Sequence, residues 1–187
     1  VGSCGTCEMC ESDYEQWCTS TPGTLWTYRA DAEGNPTTGG YSRGFTVRED
    51  FALHVPESLD FSACAPLLCA GITTWSPLRH WNVGKGSKVA VVGLGGLGHM
   101  AIKLAKALGA EKVIAFSHHE DRAALAREFG ADVVIAERGD EGAAKVKELT
   151  GGYGAHGVVE AVGNQTSMMQ AIASCRPGGH LGYVGVA

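Results

Sequence analysis

No apolar run in the sequence approaches the ~18 residues that a membrane-spanning helix needs. Positive charge is not in excess either: 15 Lys and Arg stand against 20 Asp and Glu, for a net charge of −5. That balance argues against nucleic acid and against an acidic membrane surface as partners. Neither an initiator Met nor a signal peptide precedes the polar, Cys-rich opening at Val1, which predicts a cytoplasmic chain cut from something longer. What is present is 44% hydrophobic residues and a mean hydropathy of −0.02, the profile of a soluble globular protein with a real core. The 187 residues suffice for one large domain, or for one domain and a piece of another.

Glycine is abundant, at 27 residues, and its densest use lies within 88–110, KVAVVGLGGLGHMAIKLAKALGA. Residues 88–92 are a short apolar run, enough for one buried parallel strand. Gly93, Gly95 and Gly98 follow as G-x-G-x-x-G, with Leu94, Gly96 and Leu97 between them. Leu97, Ala101, Leu104, Ala105 and Leu108 then keep a helical spacing that ends at Gly109. Strand, glycines and helix in that order are what a dinucleotide site requires. The first glycine makes the turn, and the second lets a pyrophosphate approach the backbone. The third lets helix pack on strand, and the unpaired N–H groups of the helix start face the phosphates. A glycine-rich turn of some other α/β protein is the alternative.

Four of the seven cysteines, Cys4, Cys7, Cys10 and Cys18, form C-x2-C-x2-C-x7-C. This spacing lets four thiolates converge on one ion from a single loop, and a closed structural zinc site is the favoured reading. Two disulfides suit a small secreted protein rather than this chain. An iron–sulfur cluster shares the x2 spacings but not the x7. Four sulfurs would leave such a zinc no open position for chemistry. It would instead fix a lobe too poor in apolar residues to fold by burial alone.

Residues 22–40 are turn-rich and read as loop. Strand-like pieces are predicted at 45–47 and 52–55, closed by Pro56. Residues 58–70 have helix-like spacing interrupted by Pro66, with Cys64 read as a buried small residue. Trp75 and Leu78 continue a helical face towards Trp81. After the glycine strand, further strands are predicted at 112–117, 132–136, 157–161 and 180–186, with helices at 120–129, 140–149 and 165–175 between them. Repeated β-α units imply an α/β fold, a doubly wound parallel Rossmann sheet with right-handed crossovers. His54, His80, His99, His156 and His180 read as surface or satisfied core residues.

The cysteine motif, then GGYSRGF, APLLCAGITTWSPLRHW and VAVVGLGGLGHMAIKLAKALGA, together resemble the zinc-dependent medium-chain alcohol dehydrogenases. The first half is most similar to the cinnamyl-alcohol-dehydrogenase branch. The later GGYGAHGVVEAVGN and RPGGHLGYVGV are more similar to the polyol, threonine and general alcohol branches. The resemblance implies part of a GroES-like, β-rich catalytic domain over 1–69, carrying the structural-zinc lobe. It also implies a Rossmann domain over 70–187 that stops before its last strand. By resemblance, Cys69 is a ligand of a catalytic zinc and Thr73 packs against nicotinamide. Val162 lies near the adenosine ribose, and Val184, Gly185 and Val186 lie along the nicotinamide. The cysteine and the Gly-His-Glu-type histidine that complete the family's catalytic zinc have no counterpart in the chain.

Cofactor choice turns on the end of the second strand, where NAD readers carry an acidic residue for the ribose 2′-OH. Here the chain reads Ala115-Phe116-Ser117-His118-His119, with no carboxylate. Ser117 and Glu120 also fit an S-x-x-E capping box. Ser117, His118 and Arg122 match positions that contact the 2′-phosphate in NADP-using relatives, so NADP(H) is favoured over NAD(H). The resemblance implies an enzyme interconverting primary alcohols and aldehydes. In it, zinc polarises the oxygen as a Lewis acid and hydride passes to or from the nicotinamide. The whole protein would be a homodimer or homotetramer acting on a small-molecule alcohol or aldehyde, with this chain inactive alone. A non-catalytic nucleotide-binding module that keeps only the structural zinc is the alternative. Methyltransferase use of the glycine loop would leave the four-cysteine lobe and the Cys69 context unexplained.

Overall fold

The computed structural model describes residues 2–20, 23–27 and 34–186. The chain divides into two compact units, Val1–Leu59 and Asp60–Ala187. In the first, a single turn of helix, α1 (Glu8–Glu11), carries Cys10 just after Cys7, and a 3-10 turn at Glu15–Trp17 leads into Cys18. An antiparallel bridge joins Gly2 and Leu25 in this unit. The strands predicted at 45–47 and 52–55 are not formed: both segments lack a ladder, and a 3-10 turn at Glu49–Phe51 separates them. Extended backbone becomes a strand only where a partner takes its N–H and C=O groups. The predicted loop at 22–40 lies partly outside the described residues, at 22 and 28–33.

The second unit opens with a broken helical run. It comprises α2 (Phe61–Cys64), a 3-10 turn at Ala65–Leu68 and α3 (Ala70–His80). Asp60 caps α2 by accepting from Ser62 N–H at 2.9 Å. Pro66 sits in the first positions of the 3-10 turn, where its missing N–H costs no bond. Asn82, at φ +52°, ends the run and turns the chain towards the sheet.

Five strands then alternate with four helices. β1 (Lys88–Val92) leads to α4 (Gly96–Ala107), β2 (Lys112–Phe116) to α5 (Glu120–Glu128), and β3 (Val133–Ile135) to α6 (Gly139–Leu149). β4 (Ala155–Glu160), α7 (Gln165–Ser174) and β5 (Cys175–Tyr183) complete the unit. The order is β3-β2-β1-β4-β5, and every pairing is parallel. β5 starts five residues before the predicted 180, because Cys175 already pairs with Ala155 ahead of a register shift to Gly157↔His180.

Strand side chains alternate between two covered faces, as a doubly wound sheet demands. Val89, Val91, Val113 and Val159 pack with Ile102 and Ala105 of α4 and Leu78 of α3. Ala90, Val92, Ile114 and Val158 face the other way, against Val146 of α6 and Ala171 of α7. The chain runs from β1 outward through β2 and β3, then crosses back to β4. The carboxyl ends of β1 and β4 therefore flank the crevice where such sheets bind ligands. Among the described residues no single helix is long and apolar enough to cross a membrane.

Candidate metal centre and nucleotide cleft

The sulfurs of Cys4, Cys7, Cys10 and Cys18 all lie within 4.8 Å of one another. The individual separations include 3.5 Å for Cys7–Cys10 and 3.9 Å for Cys4–Cys10 and Cys7–Cys18. Zinc–sulfur bonds of about 2.3 Å in a tetrahedron put neighbouring sulfurs about 3.8 Å apart, so the four fit that ion. All four are free thiols, with none joined as a disulfide. Backbone N–H groups prepare the sulfurs for the thiolate state. Thr6 and Cys7 donate to Cys4 Sγ at 3.4 and 3.3 Å, and Cys4 N–H donates to Cys18 Sγ at 3.4 Å. The Thr6 N–H first, then the Ser20 and Thr6 side chains and the Cys7 N–H, lower the Cys4 pKa to about 5, and the backbone about Thr19 and Cys10 lowers that of Cys7 to about 7. Among the described residues this is the only group of three or more His, Cys, Asp or Glu donors arranged to hold a metal.

In the second unit a cavity of about 810 Å³ opens at the carboxyl ends of the strands. Gly93, Leu94 and Gly95 line it after β1, Ser117, His118 and Arg122 after β2, and Val162 after β4. The glycines divide their tasks as the motif predicts. Gly93 is held at φ +97°, and a Cβ there would meet Val162 Cγ2 at 2.5 Å. A Cβ on Gly98 would overlap the Gly93 carbonyl oxygen, so the third glycine seats α4 on β1. A Cβ on Gly95 or Gly96 would meet nothing within 4 Å. That open space, beside a helix start that no side chain caps, suits the close approach of an anion.

After β2, Ser117 Oγ accepts from His119 N–H at 3.3 Å and donates to His119 C=O at 3.1 Å. The predicted capping box with Glu120 is not formed. α5 begins at Glu120 with His119 as its N-cap residue, and Ser117, two residues earlier, reaches only the cap residue itself. The His118 and His119 rings lie 4.0 Å apart, centroid to centroid. Packing around His118, then the charges of Arg138, His119 and Arg122, push its pKa below the ordinary histidine value.

The other predicted residues stand away from this lining. Gly96, Leu97 and Gly98 lie within α4. Val184, Gly185 and Val186 follow β5, with Gly185 packed against the backbone of Val162 and Gly163. Cys69 is exposed at the start of α3, its carbonyl accepting from Thr73 N–H at 3.0 Å. It belongs to no metal-binding group among the described residues.

Two residues escaped the sequence reading. Glu160, fully buried at the end of β4, accepts from Val162 N–H at 2.9 Å and Gly163 N–H at 3.1 Å through its carboxylate. Arg138, after β3, lines the cavity beside His118. A charged residue at a strand end looks solvated in sequence, and nothing local reveals either role.

Residues 96–187 match the family model described as Zinc-binding dehydrogenase. An NADP-dependent alcohol dehydrogenase C 1 from Mycolicibacterium smegmatis is 58% identical over 61% of this chain and 33% of its own length. The aldehyde reductase YahK of Escherichia coli is 49% identical over 80% of this chain and 43% of its own. Among solved structures, CAD from Helicobacter pylori complexed with NADP(H) superposes with a TM-score of 0.81 at 31% identity. That match covers 100% of this chain and 50% of the other. The chain thus spans less than half the length of these two curated relatives. Fold, glycine loop and sequence likeness agree: the chain belongs to the zinc-dependent medium-chain alcohol dehydrogenase family.

Proposed function

We propose that this chain is the structural-zinc lobe and nucleotide-binding domain of an oxidoreductase that interconverts primary alcohols and aldehydes using NADP(H). The observation that carries this reading is the cavity itself. It is lined by the glycine loop after β1 and, after β2, by Ser117, His118 and Arg122, with no carboxylate at the end of that strand. In this reading, the α4 N-terminus and Gly95 receive the pyrophosphate. Ser117, His118 and Arg122 receive the 2′-phosphate, and Val162 packs on the adenosine ribose. Residues 184–186 and Thr73 flank the nicotinamide, which supplies or accepts the hydride when bound. Cys4, Cys7, Cys10 and Cys18 hold one zinc and keep the lobe folded.

The same reading assigns 1–69 to a GroES-like catalytic domain and 70–187 to the Rossmann domain. It places the whole protein in the cytoplasm, as a homodimer or homotetramer. Cys69 is proposed as one ligand of a catalytic zinc, a site that takes three protein ligands. The described residues by themselves do not make that site. Hydride transfer is therefore assigned to the whole protein and not to this chain alone. The isolation of Cys69 equally favours a second reading, a nucleotide-binding module that keeps only the structural zinc.

NADPH oxidation with cinnamaldehyde and benzaldehyde separates the two. It would be measured on this chain, and on the protein at the full length of its relatives, with zinc added. Turnover by the long form alone is expected. Silence from both supports the module, and equal turnover by the chain overturns the ligand role of Cys69.

A further inference from the structure

The two arginines that line the cavity come from different helices. Arg122 lies in the first turn of α5, whereas Arg138 is the N-cap residue of α6, just beyond β3. β2 and β3 are parallel neighbours with Phe116 opposite Ile135, so the segments that follow them emerge side by side. This places Arg138 Nη2 within 2.6 Å of both ring nitrogens of His118. The ion pairs among the described residues are Arg48–Asp50, Lys106–Asp132 and Lys145–Glu148. Arg122 and Arg138 are in none of them, although both line the cavity. Glu137 is the one carboxylate in that lining, and it is not paired with either arginine within 4.0 Å.

Two guanidinium groups, neither paired with a carboxylate, thus line the cavity with a histidine where the chain leaves β2 and β3. A planar guanidinium presents paired N–H donors that match phosphate oxygens two at a time. We infer that Arg138 is a specificity-determining residue, a second guanidinium that joins Arg122 and His118 in binding the 2′-phosphate monoester of NADP(H). The inference rests on the NADP(H) reading above. It adds a contact from the β3–α6 connection to a site otherwise built on the end of β2. The guanidinium already lies against the His118 ring, so Arg138 stands at the cavity wall.

The test is calorimetric titration of this chain with adenosine 2′,5′-bisphosphate and with 5′-AMP. Variants are Arg138→Ala, Arg138→Lys and Arg122→Ala, with Arg127→Ala as a control that removes the same charge from the exposed side of α5. Arg138→Ala should weaken the bisphosphate about tenfold or more and leave 5′-AMP unchanged, and Arg138→Lys should restore part of the loss. Arg127→Ala should change neither. If Arg122→Ala erases discrimination while Arg138→Ala and Arg138→Lys preserve it, the Arg138 role is wrong and the NADP(H) reading stands. Equal weakening of both nucleotides by Arg138→Ala also overturns it. A wild-type chain that binds the two alike overturns the NADP(H) reading and Arg138 with it.

Discussion

In the first unit the only hydrophobic side chains buried among the described residues are Cys10 and Cys18, while Trp17, Trp26, Tyr41 and Leu53 stand exposed. In the second, Val89, Val91, Val113, Ile114, Val158 and Val159 are all fully buried between helices. The two units are therefore held together by different physics. One has four sulfurs at tetrahedral spacing and almost no apolar interior. The other removes whole strands from water at roughly 25 cal/mol per Å² of apolar surface. Agents that attack coordination and agents that attack burial should separate them.

The largest effect should come from the sulfurs. Cys7→Ser or Cys10→Ser should take the chain from close to one zinc to none by elemental analysis. Structural zinc contributes on the order of 10 kcal/mol to small lobes of this kind. Amide exchange should accelerate throughout 2–20 and leave 88–92 and 112–116 protected. Loss of protection in the strands as well would break the comparison, because the units would then unfold as one. Iron with visible charge-transfer absorbance would remove its premise.

A smaller effect is expected at the glycine loop, where packing and ligand access can be told apart. Gly98→Ala should destabilise the second unit by about 1–3 kcal/mol in denaturant unfolding, because its Cβ overlaps the Gly93 carbonyl. Gly95→Ala should change stability by less than about 0.5 kcal/mol, since its Cβ meets no atom within 4 Å. Both should lose nucleotide binding in calorimetry, and both should keep their zinc. A destabilised Gly95→Ala would mean that the open space is a packing surface.

The smallest effect concerns acid. His156 Nδ1 accepts from Lys88 N–H at 3.1 Å, which requires a neutral ring at that nitrogen. Burial, then the charges of Arg176 and Lys88, hold its pKa below 6.5. The unfolded chain takes up that proton first as pH falls. The contribution is therefore whole above about 6.5 and declines from there towards the lower folded value. His156→Asn keeps an acceptor without a titrating ring, so its stability should be flatter than wild type between about pH 6.5 and 5. Identical profiles would remove His156 from the acid response.

The sheet was legible because each strand is a short apolar run followed by a helix-spaced segment, and the glycine loop marks where the order begins. β1 matches its predicted bounds at both ends. Prediction failed where a partner decides the outcome. Residues 45–47 and 52–55 have strand composition but no ladder. Cys175 joins β5 although Arg-Pro-Gly-Gly follows it, because β4 supplies the pairing. Ser117 has the right spacing to Glu120 for a cap, yet the helix starts two residues too late for it. In the candidate site, the glycines and the residues after β2 could be read locally. Arg138 could not, because it reaches His118 only through the β2–β3 pairing, 20 residues away.

The Glu160 carboxylate holds Val162 and Gly163, while its carbonyl oxygen accepts from Val184 N–H at 2.9 Å and Gly185 N–H at 3.0 Å. One residue thus works as a bracket, tying the turn after β4 to the segment after β5 through four backbone amides. Losing the carboxylate would free only the turn after β4, whereas displacing the Glu160 backbone would release both segments at once.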